Sequence, residues 1–248
     1  MYGPIFYTAG RTNALHRAEM IMRERGCQFA SAPDLTVTHL LLGVPAFEAD
    51  GSLKGGGSLA EIFPMLSPQV KIYGGMLDRH IPPVYQAIDL LQDPYYVAEN
   101  ARITAHCAIR LAAEKLPCIW YGFPVLIIGW GRIGKCLAQL LKSLGAYVTV
   151  AARKPTDRAM LDALGFDTLD TARLDGSLLR FRVIYNTVPE LVLPAESMRS
   201  IDADCLKIDL ASFPGMDGPD VISARGLPSR YAPESAGALI AKTLLRLR

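Results

Sequence analysis

Three glycines with the spacing Gly-x-Gly-x-x-Gly stand at positions 129, 131 and 134, directly after the apolar run 125–128. A leucine-rich helical pattern follows them, and Gly145 ends that pattern ahead of a second apolar run. In a strand–turn–helix–strand unit of this kind, glycines let the backbone approach a pyrophosphate at the N-terminus of the helix. The turn residues expected to contact a dinucleotide are Gly129, Trp130, Gly131, Arg132, Ile133 and Gly134.

The end of the second strand in this unit indicates which dinucleotide fits. A site for NAD places Asp or Glu there, to accept a hydrogen bond from the ribose 2′-hydroxyl. The chain reads Ala151-Ala152-Arg153-Lys154 at this point, and its next carboxylate is Asp157. Two cations suit a 2′-phosphate. We therefore predict that Arg153 and Lys154 favour NADP(H), with NAD(H) as the alternative cofactor.

Two later strands end in residues that could border the same ligand, because ligands of open α/β sheets bind outside the carboxyl ends of the strands. The strand 183–185 runs into a polar loop suited to the nicotinamide ribose, and a further strand follows at 206–212. Asp209 in that strand is expected to be half-buried and to hold a neighbouring loop. The residues predicted to contact the cofactor here are Asn186, Thr187, Val188, Pro189 and Ala211.

The elements that must position these residues alternate between strand and helix along the chain, as in an α/β protein with parallel sheets. Strands are expected at 5–8, 27–30, 39–44 and 70–74 in the first part of the chain, and helices at 13–25, 59–66 and 84–91. The stretch 45–58 contains Gly55-Gly56-Gly57 and is predicted to be a loop, which either covers a ligand or lies on the surface.

This alternation predicts two domains. Residues 1–95 are expected to form a smaller N-terminal α/β domain on the substrate side. Residues 119–248 are expected to form a C-terminal Rossmann dinucleotide-binding domain with a parallel sheet. The segment 96–118 between them holds a connecting helix, predicted over 99–116 and ended by Pro117.

Composition excludes several other classes of protein. Of the 248 residues, 50% are hydrophobic and 20% charged, and the formal net charge is +2. These values argue against a disordered chain and give no footprint for nucleic acid. No apolar run is long enough to cross a membrane and no signal peptide is evident, so we expect a cytoplasmic protein. The five cysteines form no CxxC pair, so we expect reduced, mostly buried thiols and no metal site.

The set and order of these motifs resemble those of dipicolinate synthase A subunits over roughly residues 95–248. The matching stretches are Gly129–Gly134, Gly145-Ala146, Ala152-Arg153, Asn186–Pro189, Ile208–Ser212 and Ala232–Gly237, with Glu99-Asn100 and Thr104-Ala105 in the connecting helix. The first 90 residues depart from the family pattern. The family's Gly-Gly-Asp turn and following Arg correspond here to Ala9-Gly10-Arg11.

The resemblance implies a reaction and a set of partners. The reaction is the NADP-dependent oxidation of dihydrodipicolinate to dipicolinate in sporulating bacteria, on a small dicarboxylate substrate. The implied partner is a flavoprotein-like B subunit of dipicolinate synthase. We also expect a homo-oligomer, with neither nucleic acid nor a membrane as a partner.

A dicarboxylate substrate requires cations, and the loss of a ring proton requires an acceptor. The candidates are Arg11, Thr104 and Arg230 for substrate binding and His106, Glu234 and Ser235 for catalysis. Histidine titrates near neutral pH, which suits His106 to accept the proton. Each assignment has a structural alternative. Arg11 could be a solvated cation at a helix start, His106 a structural histidine, and Glu234 and Ser235 capping residues.

Three other functions stay open from the residues alone. A D-2-hydroxyacid dehydrogenase would share the two-domain layout, but it needs a His before the last helix and an Arg after the fifth strand. The chain has Ala232–Ser235 and Asp209–Ser212 at these places. A shikimate-type dehydrogenase would use a similar Asn-Thr-Pro loop, but its Lys and Asp pair is not evident. The remaining alternative is a nucleotide-binding protein with no chemistry of its own, serving as one component of an assembly.

Overall fold

A computed structural model describes residues 3–247, which fold into two compact units. The first unit runs to Asn100 and resumes at Pro228, and the second covers Ala101–Leu227. Each unit contains one sheet in which the paired strands are all parallel. The predicted α/β class with two parallel-sheet domains is therefore confirmed.

Short strands and longer helices alternate in both units. The strands are β1 (Ile5–Thr8), β2 (Gln28–Phe29), β3 (His39–Leu41), β4 (Lys71–Gly74), β5 (Gln86–Asp89), β6 (Pro124–Ile128), β7 (Tyr147–Ala151), β8 (Asp167–Leu169), β9 (Val183–Asn186), β10 (Leu206–Asp209) and β11 (Ile222–Ser223). The helices are α1 (Asn13–Glu24), α2 (Leu59–Ile62), α3 (Pro94–Ala113), α4 (Arg132–Ser143), α5 (Pro155–Ala163), α6 (Ala195–Met198), α7 (Leu227–Tyr231) and α8 (Pro233–Leu247). Single 3₁₀ turns lie at Phe63–Met65, Leu90–Gln92 and Leu178–Arg180.

The sheet of the first unit has the strand order β2-β1-β3-β4-β5. Alternate positions of its strands supply an aliphatic core that includes Leu40, Leu42 and Ile72, all fully buried. The chain leaves the carboxyl end of β1 and enters α1 at Thr12, whose hydroxyl accepts a hydrogen bond from the amide of Leu15. This strand order reverses direction at β1, which is where such sheets open a crevice for a ligand.

The sheet of the second unit has the order β11-β10-β9-β6-β7-β8, with β6 at its centre. Counted from β6 along the chain, this is the 3-2-1-4-5-6 order of a dinucleotide-binding sheet. Val125 pairs with Val148 on one side and with Val183 on the other, and residues 125–128 have no exposed surface. The continuous apolar run before the glycines is typical of a central parallel strand whose two faces are both buried.

Two predictions about the first hundred residues are wrong. Residues 84–91, predicted as a helix, contain the edge strand β5 and the start of a 3₁₀ turn instead. Helix α3 begins at Pro94 rather than at 99, because the Asp93 carboxylate accepts from the amide of Tyr96 at 2.7 Å and caps the helix there. The division between the two units falls within α3, after Asn100, and the connecting role of this helix stays a prediction.

The last helix belongs to a different unit from the one expected. The sequence assigned residues 119–248 to one Rossmann domain, whereas α8 packs on α1 in the first unit. Arg17 pairs with Glu234 at 2.7 Å, and a Cβ built on Gly237 would stand 2.5 Å from the carbonyl oxygen of Ala14. The helix has an apolar face, but the helix that covers it is about 220 residues away in the sequence.

Three of the five cysteines, Cys27, Cys107 and Cys205, are buried, whereas Cys136 is half-buried and Cys118 is exposed. None of the helices described between residues 3 and 247 is long and apolar enough to span a membrane. No group of three or more potential metal-binding side chains comes together in this part of the chain.

Candidate functional site

The glycine turn between β6 and α4 is packed so closely that a Cβ on two of its glycines would overlap neighbouring atoms. Gly129 has a φ of 107°, and a Cβ there would overlap the hydroxyl of Thr187. A Cβ on Gly134 would overlap the carbonyl oxygen of Gly129, so α4 starts in direct contact with the end of β6. The turn therefore holds the helix N-terminus close to the central strand.

Gly131 differs from the other two glycines because its Cβ direction is open. No described atom outside its chain neighbours lies within 4 Å of the place a Cβ would take. Gly131 is also the N-cap of α4 and provides no side-chain cap for the helix. A pyrophosphate needs an approachable backbone and uncapped N–H groups at a helix N-terminus. The residues present at this turn therefore fit the phosphates of a dinucleotide.

The other turn residues are partly fixed by aromatic contacts. Trp130 is half-buried, its ring meets Phe166 edge-on with 6.1 Å between centroids, and the Lys135 ammonium lies 5.6 Å from its ring centre. Arg132 is exposed and Ile133 half-buried on the first turn of α4. The indole is thus held in place by its contacts with Phe166 and Lys135.

The end of β7 is basic, as the sequence indicates. Ala151 and Ala152 are buried, whereas Arg153 and Lys154 are exposed. Sequence reasoning missed Arg158, whose guanidinium donates to the carbonyl oxygens of Ala152 and Arg153 at 2.8 and 2.9 Å. The signal was an arginine on the first turns of the helix that follows the strand.

Arg158 also forms an ion pair with Asp170, the first residue after β8. Its other terminal nitrogen lies 3.2 Å from Asp170. Asp170 is about one-third exposed and is thus already paired with a cation. The β7 end itself presents Arg153, Lys154 and backbone, and its next carboxylate along the chain, Asp157, lies in the first turn of α5.

Asn186 and Asp209 form one buried hydrogen-bond network at the carboxyl ends of β9 and β10. The Asn186 amide nitrogen donates to Asp209 and to the carbonyl oxygen of Val188, both at 2.9 Å, and its oxygen accepts from the amide of Val188 at 3.0 Å. Asp209 accepts further from the amides of Ala211 and Gly215 at 3.1 and 2.7 Å. The predicted role of Asp209 in holding a loop fits these contacts.

The loop after β9 faces the glycine turn. Thr187 donates from its hydroxyl to the carbonyl oxygen of Ile128 at 2.9 Å, and Thr187 and Val188 lie where a Cβ on Gly129 would stand. Pro189 is exposed, and Ala211 is buried with its carbonyl oxygen accepting from Arg225 at 3.2 Å. The predicted cofactor residues of β6 and β9 are thus brought together.

The predicted substrate and catalytic residues fall on both units. On α3, within the second unit, His106 is exposed and Thr104 is buried. In the first unit, Glu234 pairs with Arg17 and stays 76% exposed, and Ser235 is exposed at the start of α8. The structural alternative for Glu234, an acidic residue in the first helical turn, fits this place.

The two arginines of the first unit have different surroundings. Arg230 is exposed on α7, with its guanidinium 5.9 Å from the ring centre of Tyr231. Arg11 is exposed and lines a cavity of about 790 Å³ together with Gly55, Gly56 and Gly57. Of the two, Arg11 is therefore the cation that the structure places at a pocket.

Strand order and glycine turn together define the class of this protein, which has a Rossmann-type fold whose glycine turn fits a dinucleotide. One curated relative is the A subunit of dipicolinate synthase from Bacillus subtilis (strain 168), which is 30% identical over 156 residues. The match covers 60% of this chain and 52% of the relative, so it spans about half of the relative's length.

Solved structures extend the similarity to the whole fold. The dipicolinate synthase A subunit from Bacillus subtilis superposes with a TM-score of 0.84 at 21% identity, covering 100% of this chain and 96% of that one. Its counterpart from Bacillus halodurans gives a TM-score of 0.84 at 22% identity, covering 98% and 96%. No protein-family model matches the chain. The predicted resemblance to dipicolinate synthase A subunits is confirmed.

Proposed function

We propose that this chain is the A component of a dipicolinate synthase and oxidises dihydrodipicolinate to dipicolinate with NADP as the hydride acceptor. The observation that carries the proposal is the glycine turn. Its geometry leaves Gly131 open to a pyrophosphate, in a chain whose sequence relative belongs to a dipicolinate synthase. The oxidation removes a hydride and a proton from the ring, and aromatisation of the ring drives it.

The preference for NADP over NAD is supported by the β7 end. Arg153 and Lys154 are exposed there, and no carboxylate occupies the strand end. Arg158 holds the two carbonyl oxygens from which this turn is built. In the proposal, Arg153 and Lys154 bind the 2′-phosphate, and Arg158 keeps the backbone beneath them in place.

The remaining cofactor residues divide into contacts and supports. Thr187 and Val188 border the glycine turn, and both are assigned, with the neighbouring Pro189, to the nicotinamide ribose side of the cofactor. Asn186 uses its amide group within the protein, so its role is to shape that loop together with Asp209. Bound NADP would supply the hydride acceptor at this site.

The chain's own contribution to the chemistry is to bind the diacid and to accept one proton. His106 is assigned as the proton acceptor, because its imidazole is exposed on α3 and histidine exchanges protons near neutral pH. Arg11, Thr104 and Arg230 are assigned to the substrate. Glu234 and Ser235 stay secondary candidates, since Glu234 already pairs with Arg17.

The proposal also includes self-association of the chain and a flavoprotein-like B subunit as its partner. It places the protein in the cytoplasm. The support is that the relative from Bacillus subtilis is itself one subunit of a synthase. Assay of the chain alone and then with the B subunit, against dihydrodipicolinate and NADP, tests the function. Formation of dipicolinate, followed by its ultraviolet absorbance, is the expected result. Tight NADP binding without dipicolinate in either preparation would leave a nucleotide-binding protein with no chemistry of its own.

A further inference from the structure

The loop that follows β10 carries an exposed phenylalanine that the cofactor and substrate assignments do not use. Phe213 has 60% of its surface exposed, and its neighbours Ser212 and Pro214 are exposed as well. The loop after β9 also carries an exposed apolar side chain, Leu191, at 55%. Two apolar side chains are therefore in contact with solvent on the loops that leave the carboxyl ends of adjacent strands, the edge at which open α/β sheets bind their ligands.

Phe213 lies between two anchored residues. The amides of Ala211 and Gly215, two residues before it and two residues after it, both donate to the carboxylate of Asp209. Further along the same loop, Asp220 accepts from the ammonium of Lys207, whose side chain is buried in β10. Alternate residues of β10 therefore hold the loop near its start and near its end.

The loops after β9 and β10 are also bonded to each other. The carbonyl oxygen of Gly215 accepts from the amides of residues 192 and 193, at 2.9 and 3.0 Å. Phe213 lies two residues before this acceptor, and Leu191 directly precedes the two donors. The two exposed apolar residues thus belong to one hydrogen-bonded pair of loops. A surface that is organised before binding loses less entropy when a ligand arrives.

The strand order indicates which half of a dinucleotide would reach these loops. The glycine turn after β6 fits the pyrophosphate, and the end of β7 is the usual place of the adenosine ribose. The nicotinamide half then extends to the other side of β6, over the ends of β9 and β10. Neighbouring strands lie about 4.8 Å apart, so the end of β10 is about 10 Å from the end of β6. Phe213 is therefore on the nicotinamide side of the site.

The chemistry of a nicotinamide ring matches an exposed phenylalanine. The ring is flat and largely apolar, so packing on an aromatic side chain removes apolar surface of both groups from water. In the oxidised cofactor the ring also carries a positive charge, which the face of an aromatic ring attracts. The residues between Ala211 and Gly215 are Ser, Phe and Pro, so this part of the loop brings no charged side chain to the ring.

From this placement we infer that Phe213 packs against the nicotinamide ring and favours the oxidised, positively charged form of the cofactor. The inference rests on the proposed function, which makes NADP the cofactor. It gives the loop after β10 a contact with the reacting ring, whereas the glycine turn and the basic β7 end are assigned to the phosphates.

Calorimetric titration of the full chain with three ligands tests the inference. The ligands are NADP⁺, NADPH and adenosine 2′,5′-bisphosphate, a fragment that has the adenosine half of the cofactor and no nicotinamide. Phe213→Ala should weaken binding of NADP⁺ by about fivefold to thirtyfold and leave binding of the fragment unchanged. Phe213→Leu keeps an apolar side chain, so NADPH should bind within about twofold of the wild type, whereas NADP⁺ should bind about twofold to fivefold more weakly than to the wild type.

Tyr147→Ala is the matched control for the loss of an exposed aromatic ring. Tyr147 is 70% exposed at the start of β7, which is the opposite edge of the same sheet, so all three ligands should bind as they do to the wild type. The thermal unfolding midpoint of Phe213→Ala should stay within about 2 °C of the wild-type value, because its side chain is mostly exposed.

The three titrations separate this inference from the proposed function. Unchanged binding of NADP⁺ to Phe213→Ala, or an equal loss for the fragment, would overturn the inference while the proposed cofactor stands. Equal losses for NADP⁺ and NADPH in Phe213→Leu would overturn the preference for the oxidised form. If the wild type bound none of the three ligands, the proposed function and the inference would both be wrong.

Discussion

The side-chain amide of Asn186 donates to the carboxylate of Asp209 at 2.9 Å, and both side chains are buried at the ends of adjacent strands. The same carboxylate accepts from two backbone amides in the loop that follows β10. A Cβ on Gly215 would overlap the Asn186 amide, so this loop lies directly on the pair. Two loops at the candidate cofactor site therefore depend on one carboxylate.

Asp209→Asn should lower the free energy of unfolding by about 1–3 kcal/mol, because one acceptor oxygen becomes a donor that faces N–H groups. Urea denaturation measures the change. Asp217→Asn, at an exposed position, should change stability by less than about 0.5 kcal/mol. If the two variants were equally stable, the network would not hold the loops.

Removal of the two cations at the β7 end should change cofactor preference. Arg153→Ala combined with Lys154→Ala should weaken NADP binding by about tenfold to a hundredfold and change NAD binding by less than about twofold. Fluorescence titration with each nucleotide provides the measurement. Lys115→Ala removes one positive charge from an exposed position just after α3, so it is the control for the loss of a single charge. An equal loss for both nucleotides would contradict a 2′-phosphate contact.

Gly131 and Gly134 should respond in opposite ways to substitution. Gly134→Ala should lower the free energy of unfolding by about 1–3 kcal/mol, because its Cβ would overlap the carbonyl oxygen of Gly129. Gly131→Ser supplies a side-chain cap for α4 in open space, so stability should hold or rise. Gly131→Ser should still weaken dinucleotide binding, since its side chain occupies the approach to the backbone. Unchanged affinity would place the phosphates elsewhere.

The contact between α1 and α8 should depend on Gly237 more than on Glu234. Gly237→Ala should lower stability by about 1–3 kcal/mol, because its Cβ would stand 2.5 Å from the carbonyl oxygen of Ala14. Glu234→Gln should cost less than about 1 kcal/mol, since the ion pair with Arg17 is exposed to solvent. Thermal and urea unfolding compare the two. A large loss of activity in a stable Glu234→Gln variant would favour its catalytic assignment.

Stability should fall in mildly acidic solution because of His39. Burial, and then the charge of Lys71, lower the pKa of His39 below its ordinary value of 6.5. As the pH falls through 6.5 towards the lowered value, the unfolded chain takes up a proton that the folded chain resists. His39→Phe keeps the ring contacts with Phe6 and Tyr73 and should lose less stability than the wild type between about pH 7.5 and about pH 5.5. An equal loss of stability in His39→Phe and the wild type over this pH range would contradict the role of His39.

The second unit could be predicted from sequence because its signals are local. The run 125–128, the glycine spacing and the leucines of α4 all lie within one strand–turn–helix segment. The strand at 86–89 was missed because it is an edge strand of four residues with no buried position and no alternation. The site was predicted in its glycines and cations, whereas Arg158 was missed, because its bonds to the strand end are visible only in the folded chain.

Because α8 packs in the first unit, that unit is fully translated only after the second unit. The residues of the second unit, Ala101–Leu227, are translated before the helix that packs on α1. The ribosome therefore releases a complete second unit while the first still exposes the face of α1 that Gly237 later covers. The second unit can become a finished domain during translation, whereas the unit that was started first is the last to close.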